Sequence, residues 1–167
     1  MHGTYTYMDE TGETAGREAV AQALDDALVA VQRVPRRPGY RRRILGSVDI
    51  PGGLGTFRVL RAVERLGGSA GGVSVGDVAD VLVVDPSTAS RVVERCVAAG
   101  LLDRSADERD RRRAVLTLTR PGADILAAVT GNRRDLLAEV IEGWPDEDLT
   151  RLVELLTALL RGLDRLE

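Results

Sequence analysis

Residues 74–100 read SVGDVADVLVVDPSTASRVVERCVAAG, and their spacing decides the fold. Ser74 stands three residues before Asp77, the pattern of a capping box in which a hydroxyl and a carboxylate satisfy each other's backbone amides at a helix start. Val75, Val78, Ala79 and Leu82 then share one face of a short helix. Val83, Val84 and Asp85 form a tight break, with Asp85 placed to cap a second helix whose first residue is Pro86. That helix runs to about Ala99 and stops at Gly100. Two helices separated by three residues have the spacing of a helix-turn-helix.

The second helix divides into two faces. Ala89, Val92, Val93 and Cys96 recur at three- and four-residue steps and point inward, whereas Ser87, Thr88, Ser90, Arg91 and Arg95 fall on faces open to solvent. Short hydroxyl side chains let a helix approach base edges in a major groove, arginine pairs with guanine, and a helix N-terminus favours phosphate. The same residues would also serve as an ordinary solvated face.

Downstream, Leu101 to Arg104 and Arg113 to Thr119 read as two short strands, the second with a clean two-residue alternation. Between them lies SADERDRR, residues 105–112, so the hairpin tip carries Arg109, Arg111 and Arg112 around Asp110. A hairpin with an arginine-laden tip directly after such a helix is a wing, able to enter a minor groove where narrow A·T-rich duplex concentrates negative potential.

The remaining segments are helical. Ala19, Val20, Ala23, Leu24, Ala27, Leu28 and Val31 mark an amphipathic helix over about 15–34, preceded by a polar, turn-rich stretch with the character of a disordered tail. Pro35 and Pro38 interrupt that helix within an arginine-rich segment, Arg33 to Arg43, before a short helix near Tyr40. Leu54 to Leu66 form a helix with Phe57, Leu60 and either Val59 or Val63 inward. Gly67, Gly68, Gly71 and Gly72 form a connector with no lysine after it and no strand before it, unlike a phosphate cradle. After the wing, a helix opened by Thr119 to Pro121 places Ile125, Leu126, Val129, Leu136, Leu137, Val140 and Ile141 inward and closes at Trp144-Pro145. In the last helix Leu149, Leu152, Leu156, Leu159, Leu163 and Leu166 follow a 3, 4, 3, 4, 3 spacing, a heptad-like seam. Each buried leucine is worth about 1.5–3 kcal/mol, so the seam calls for a cover, from the chain's own helices or from a second copy.

Composition narrows the functional classes. The chain has 167 residues, about one domain, and all 23 of its basic residues are arginine. Without lysine there is no Schiff-base chemistry and no phosphate-loop lysine. One histidine, His2, and one cysteine, Cys96, are too few for a zinc site or a nucleophile–histidine pair. No cofactor or metal is expected, and no enzyme activity. The absence of a secretory leader or long apolar run reads as soluble and cytoplasmic, with no membrane partner. Charge is segregated: residues 1–32 carry a net -5, residues 33–120 a net +7 and residues 121–167 a net -5. A basic centre between acidic ends fits a polyanion-binding surface.

Over Val75 to Gly122 the sequence resembles the MarR family of bacterial transcription regulators. The helix-turn-helix and the wing DRRRAVLTLTRPG carry the resemblance, the latter through Asp110, Arg112, Leu116, Leu118, Thr119 and Gly122. The resemblance implies a mainly α fold, a winged helix-turn-helix with a two-stranded β wing and a helical dimerisation domain built from both chain ends. It implies a homodimer on a pseudopalindromic operator in double-stranded DNA, a repressor released by a small aromatic or phenolic effector or, in some relatives, by cysteine oxidation. Ser87, Thr88, Ser90, Arg91 and Arg95 then become DNA contacts together with Arg109, Arg111 and Arg112. Asp110 becomes the residue that orients the wing, and Leu149, Leu152, Leu156, Leu159 and Leu163 the dimer interface. Cys96 falls where the family carries a core leucine, which fits a buried structural thiol better than a redox switch. The expected organisation is a tail over 1–13, N-terminal dimerisation helices over 14–50, the winged helix-turn-helix over 51–121 and C-terminal dimerisation helices over 122–167.

Two other classes compete. A winged-helix interaction module would dock an acidic partner on the same basic face. A small enzyme would need Asp77, Asp80 and Asp85 as its carboxylates, but they span a helix and a turn with no organising base. Five aromatic residues, two of them in the tail, leave no stacking platform for single-stranded RNA.

Overall fold

The computed structural model describes residues 10–67, 72–106 and 114–166. The chain divides into two compact units, residues 1–42 and 43–167. In the first, helix α1 (Glu10–Arg33) begins ahead of its apolar period. Pro35 turns the chain into a 3-10 segment, Val34–Arg36, and helix α2 (Pro38–Leu45) starts on the second proline, whose fixed φ and missing N–H suit a first helical position. Val20, Leu24 and Val31 of α1 are exposed.

The second unit is organised around helix α3 (Leu54–Leu66). Phe57, Val59, Leu60, Ala62 and Val63 are all buried, so Val59 and Val63 both face inward. The reason is tertiary: α3 packs against helix α4 (Val75–Leu82), helix α5 (Pro86–Ala98), helix α6 (Arg120–Val140) and strand β2 (Ala114–Leu118), and is therefore covered on more than one side. Val78, Val93, Cys96, Leu102, Leu116, Leu126 and Val129 complete this core.

Strand β1 (Leu102–Ala106) pairs antiparallel with β2, Leu102 opposite Leu118 and Ala106 opposite Ala114. Val73 adds one further rung: the Leu116 amide donates to its carbonyl at 2.7 Å. A single paired residue has no alternation to reveal it beforehand.

The junction between β2 and α6 explains the Leu-Thr-x-x-Gly spacing. Thr119 is the N-cap of α6: its hydroxyl accepts from the Gly122 amide at 3.1 Å and donates to the Gly100 carbonyl at 2.7 Å. The same hydroxyl thus holds the helix start against the turn that ends α5. Gly122 is buried with the Leu101 carbonyl pressed against its α-carbon, leaving no room for a Cβ.

On α6, Leu126 and Val129 are buried and Ile125 and Leu136 half-buried, but Leu137 and Val140, expected inward, are exposed. Burial on α6 ends at Val129. Beyond it the helix is held by polar contacts to the end of α2: Asn132 donates to the Ile44 carbonyl at 3.1 Å, and Arg43 forms a two-pronged ion pair with Glu139. The helix ends at Val140, ahead of Trp144-Pro145, and Gly143 at φ +79 turns the chain into helix α7 (Asp146–Leu163). Asp146, Glu147 and Asp148 occupy the first turn of α7, and none of its residues is buried.

Candidate nucleic-acid interface

Helix α4 opens with the capping box read from its sequence. The Asp77 amide donates to Ser74 Oγ at 3.2 Å, and the Ser74 amide donates to Asp77 Oδ2 at 2.7 Å. Asp77 is thereby engaged as a capping group, which removes it from the carboxylate trio that an enzyme reading would need. The helix ends at Val83, which adopts the left-handed conformation at φ 52, unusual for a β-branched residue. Its amide and that of Val84 bond back to the last turn of α4, both reaching the Ala79 carbonyl. This is the tight break that sets α5 across α4.

Asp85 stands at the N-cap of α5 but corrects the expectation attached to it: its carboxylate makes no capping bond. Its backbone carbonyl takes the Thr88 and Ala89 amides at 2.9 and 3.0 Å, while the residue itself is exposed. The helix start therefore presents Ser87 to solvent without a side-chain cap, a suitable end for a phosphate oxygen.

Ser87, Arg91 and Arg95 lie at i, i+4 and i+8 on α5 and all three are exposed, forming one ridge. Thr88 and Ser90 flank it, half-buried. Two of these side chains are already occupied. Ser90 Oγ donates to Glu94 Oε1 at 3.0 Å, bringing onto this helix a carboxylate that the basic reading overlooked. The Arg95 guanidinium lies over Gly52, where a Cβ would sit 2.7 Å from Nη1, so it packs beside the start of α3. Arg58 of α3, absent from the sequence reading, donates to the Leu82 carbonyl at 3.3 Å and borders a cleft shared with Val84, Thr88 and Val92. It carries no local signal because its position depends on how α3 crosses the turn. Arg109, Asp110, Arg111 and Arg112 lie outside the described residues.

On the opposite face of α5, Cys96 is fully buried. Burial pushes its thiol above the ordinary value, against the smaller lowering effects of a hydrogen bond with Thr56 and the charge of Arg95. A protonated thiol in this setting is a poor nucleophile toward oxidants. Cys96→Ser is expected to lose about 1–3 kcal/mol of stability by placing a hydroxyl in the core. Because the folded state holds the proton more tightly than the unfolded chain, the thiol's contribution to stability is intact below its ordinary pKa. It falls as pH rises through and beyond that value, and urea melts from neutral to alkaline pH should show the wild-type decline absent from the serine variant. Release of wild-type protein from DNA by mild peroxide, with resistance in the variant, would contradict a structural role.

The seam residues of α7 separate by exposure. Leu152, Leu156 and Leu163 are exposed and Leu149 and Leu159 half-buried, with Val153, Leu155 and Leu160 widening an open apolar face.

Comparison with known proteins agrees with this arrangement. A sequence profile of the MarR family matches residues 49–113. The transcriptional activatory protein BadR of Rhodopseudomonas palustris is 29% identical over 99 residues, which is 59% of this chain and 57% of that protein's length. A MarR family protein from Bacillus stearothermophilus superposes with a TM-score of 0.72 at 23% identity, covering 89% of this chain and 97% of the other. FabT of Streptococcus pneumoniae, solved in complex with DNA, superposes with a TM-score of 0.61 at 21% identity, covering 93% and 99%. At these identities the two structures establish the fold.

Proposed function

We propose that the chain, which the MarR family profile matches over residues 49–113, is a transcription regulator of that type and acts as a homodimer binding a pseudopalindromic operator in a sequence-specific manner. The observation that carries the reading is the open ridge of Ser87 and Arg91 on α5, next to a helix start that no side chain caps. Ser87 and the helix start take a phosphate or base edge, and Arg91 reaches the base edges. Arg109, Arg111 and Arg112 serve the minor groove, oriented by Asp110. The apolar face of α7 joins two copies. Among the described residues no helix is long and apolar enough to cross a membrane, and the proposed site of action is the cytoplasm, where a bacterial chromosome lies.

Regulation by exclusion follows when the operator overlaps a promoter, which makes repression our reading. BadR is named an activator, and transcription in vitro from templates with the operator moved relative to the promoter separates the two directions. A small phenolic effector is the proposed release signal. A cleft of about 350 Å³ between the end of α3 and β2 is of ligand size and lined by Val63, Val73, Val115 and Leu118. Glu64, which also borders it, favours a neutral phenol hydroxyl over a carboxylate.

The test is duplex binding on fragments selected from random DNA, across a salt series. Arg91→Ala is expected to lose about 1–3 kcal/mol on the selected operator and to relax its sequence preference. Arg112→Ala should lose a similar amount, more on A·T-rich flanks than on G·C-rich ones, while Arg111→Ala weakens all sequences evenly. Unchanged melting is the control. Selection that enriches no sequence would leave the alternative, an interaction module for an acidic partner.

A further inference from the structure

A second basic surface runs along α3. Arg58, Arg61 and Arg65 recur on α3 at i, i+3 and i+7 and are all exposed, forming a row of guanidinium groups about 10 Å long. They wall a groove of about 190 Å³ whose remaining lining is Ala62 of α3 with Val81 and Leu82 of α4. Among the described residues no acidic one borders it. Arg61 and Arg65 have no ion-pair partner among the described residues, while Arg58 is anchored to the Leu82 carbonyl.

We propose that this groove between α3 and α4 is a docking site for an acidic, amphipathic peptide segment of a partner protein. The charges and the floor select that occupant together. Carboxylates at i, i+3 or i+4, and i+7 of a helix repeat along the same distance as the three arginines, so each can meet one guanidinium. An apolar side chain between them covers Val81 and Leu82, which a phosphate backbone has no group to do. The volume lies below the range of about 300–1,000 Å³ usual for small-molecule pockets but accommodates one or two aliphatic side chains. Arg58 and Leu82 border both this groove and the α5 cleft, whereas Arg61 and Arg65 border the groove and not that cleft, so charge reversal at those two tests the docking site separately from the operator reading.

The experiment uses the full chain and a fluorescein-labelled synthetic helical peptide of glutamate, alanine and leucine, followed by fluorescence anisotropy. A matched peptide with glutamine in place of glutamate tests the charge requirement. The acidic peptide should bind, weaken with added salt, and lose at least about tenfold in affinity when Arg61→Glu and Arg65→Glu are combined. Arg61→Lys with Arg65→Lys should retain most of the binding, since the positive charges remain. Melting and duplex binding by the charge-reversed protein should match wild type. No binding of the acidic peptide, equal binding of the glutamine peptide, or an unchanged affinity in the charge-reversed protein would each overturn the proposal. So would loss of duplex binding in the charge-reversed protein with melting preserved, which would assign the groove to DNA phosphates.

Discussion

Leu156→Arg is expected to turn a stable dimer into a monomer. Leu156 is 43% exposed in the single chain, so an arginine there costs the isolated fold little. Across a dimer interface the same side chain would bury an unpaired charge, at a cost of several kcal/mol per copy. It would also remove a leucine contribution of about 1.5–3 kcal/mol from each copy. The neighbouring Leu152, Leu155, Leu160 and Leu163 are 40–60% exposed, a continuous apolar face that helix α7 leaves uncovered in the chain by itself. Sedimentation equilibrium should give dimer for wild type and monomer for the variant, with helical content retained. Operator affinity should fall by a factor of about 10² or more, because two half-site contacts are no longer tethered. A wild-type protein that sediments as a monomer at micromolar concentration would overturn the dimer reading.

Gly122→Ala is expected to be the most damaging small substitution in the winged-helix unit. An added methyl would meet the backbone carbonyl of Leu101, with its carbon at 3.0 Å and Leu118 Cδ2 at 3.3 Å. Backbone cannot move aside as a side chain does, and shifting it would pull Thr119 away from both Gly100 and the first turn of α6. The expected loss is about 3 kcal/mol, or a fall in Tm of about 10 °C. Gly131→Ala on the same helix is the control. Nothing lies within 4 Å of its added methyl, so it should gain up to about 1 kcal/mol from helix propensity alone. Thermal melts of the two variants side by side test whether space at Leu101, and not glycine content, is responsible.

Much of the fold was legible because its signals are local. The Ser74–Asp77 box, the three-residue break and Pro86 at a helix start depend only on neighbours a few positions apart, and the structure places α4 and α5 accordingly. The exposed positions of Ser87 and Arg91 follow from the same helical period, so the candidate recognition ridge could be read directly. Thr119 and Gly122 stood out as a spacing, although the reason for it, a cap bonded to Gly100 and a carbonyl filling the space of a Cβ, required both partners to be in place.

Helix starts and stops, and the apolar face of each helix, could be read from the order of residues because they depend on backbone chemistry and on the 3.6-residue period. How many sides of each helix are covered depends instead on elements distant in sequence packing together. Val59 and Val63 are both buried because α3 is flanked by four elements, whereas Leu137 and Val140 carry the same apolar period into solvent because burial on α6 stops at Val129. Contacts between residues distant in sequence were equally invisible beforehand: the Val73 rung on β2, Arg95 lying over Gly52, and Arg58 reaching the Leu82 carbonyl. Each is set by the crossing of two elements, and no period within either one encodes that crossing.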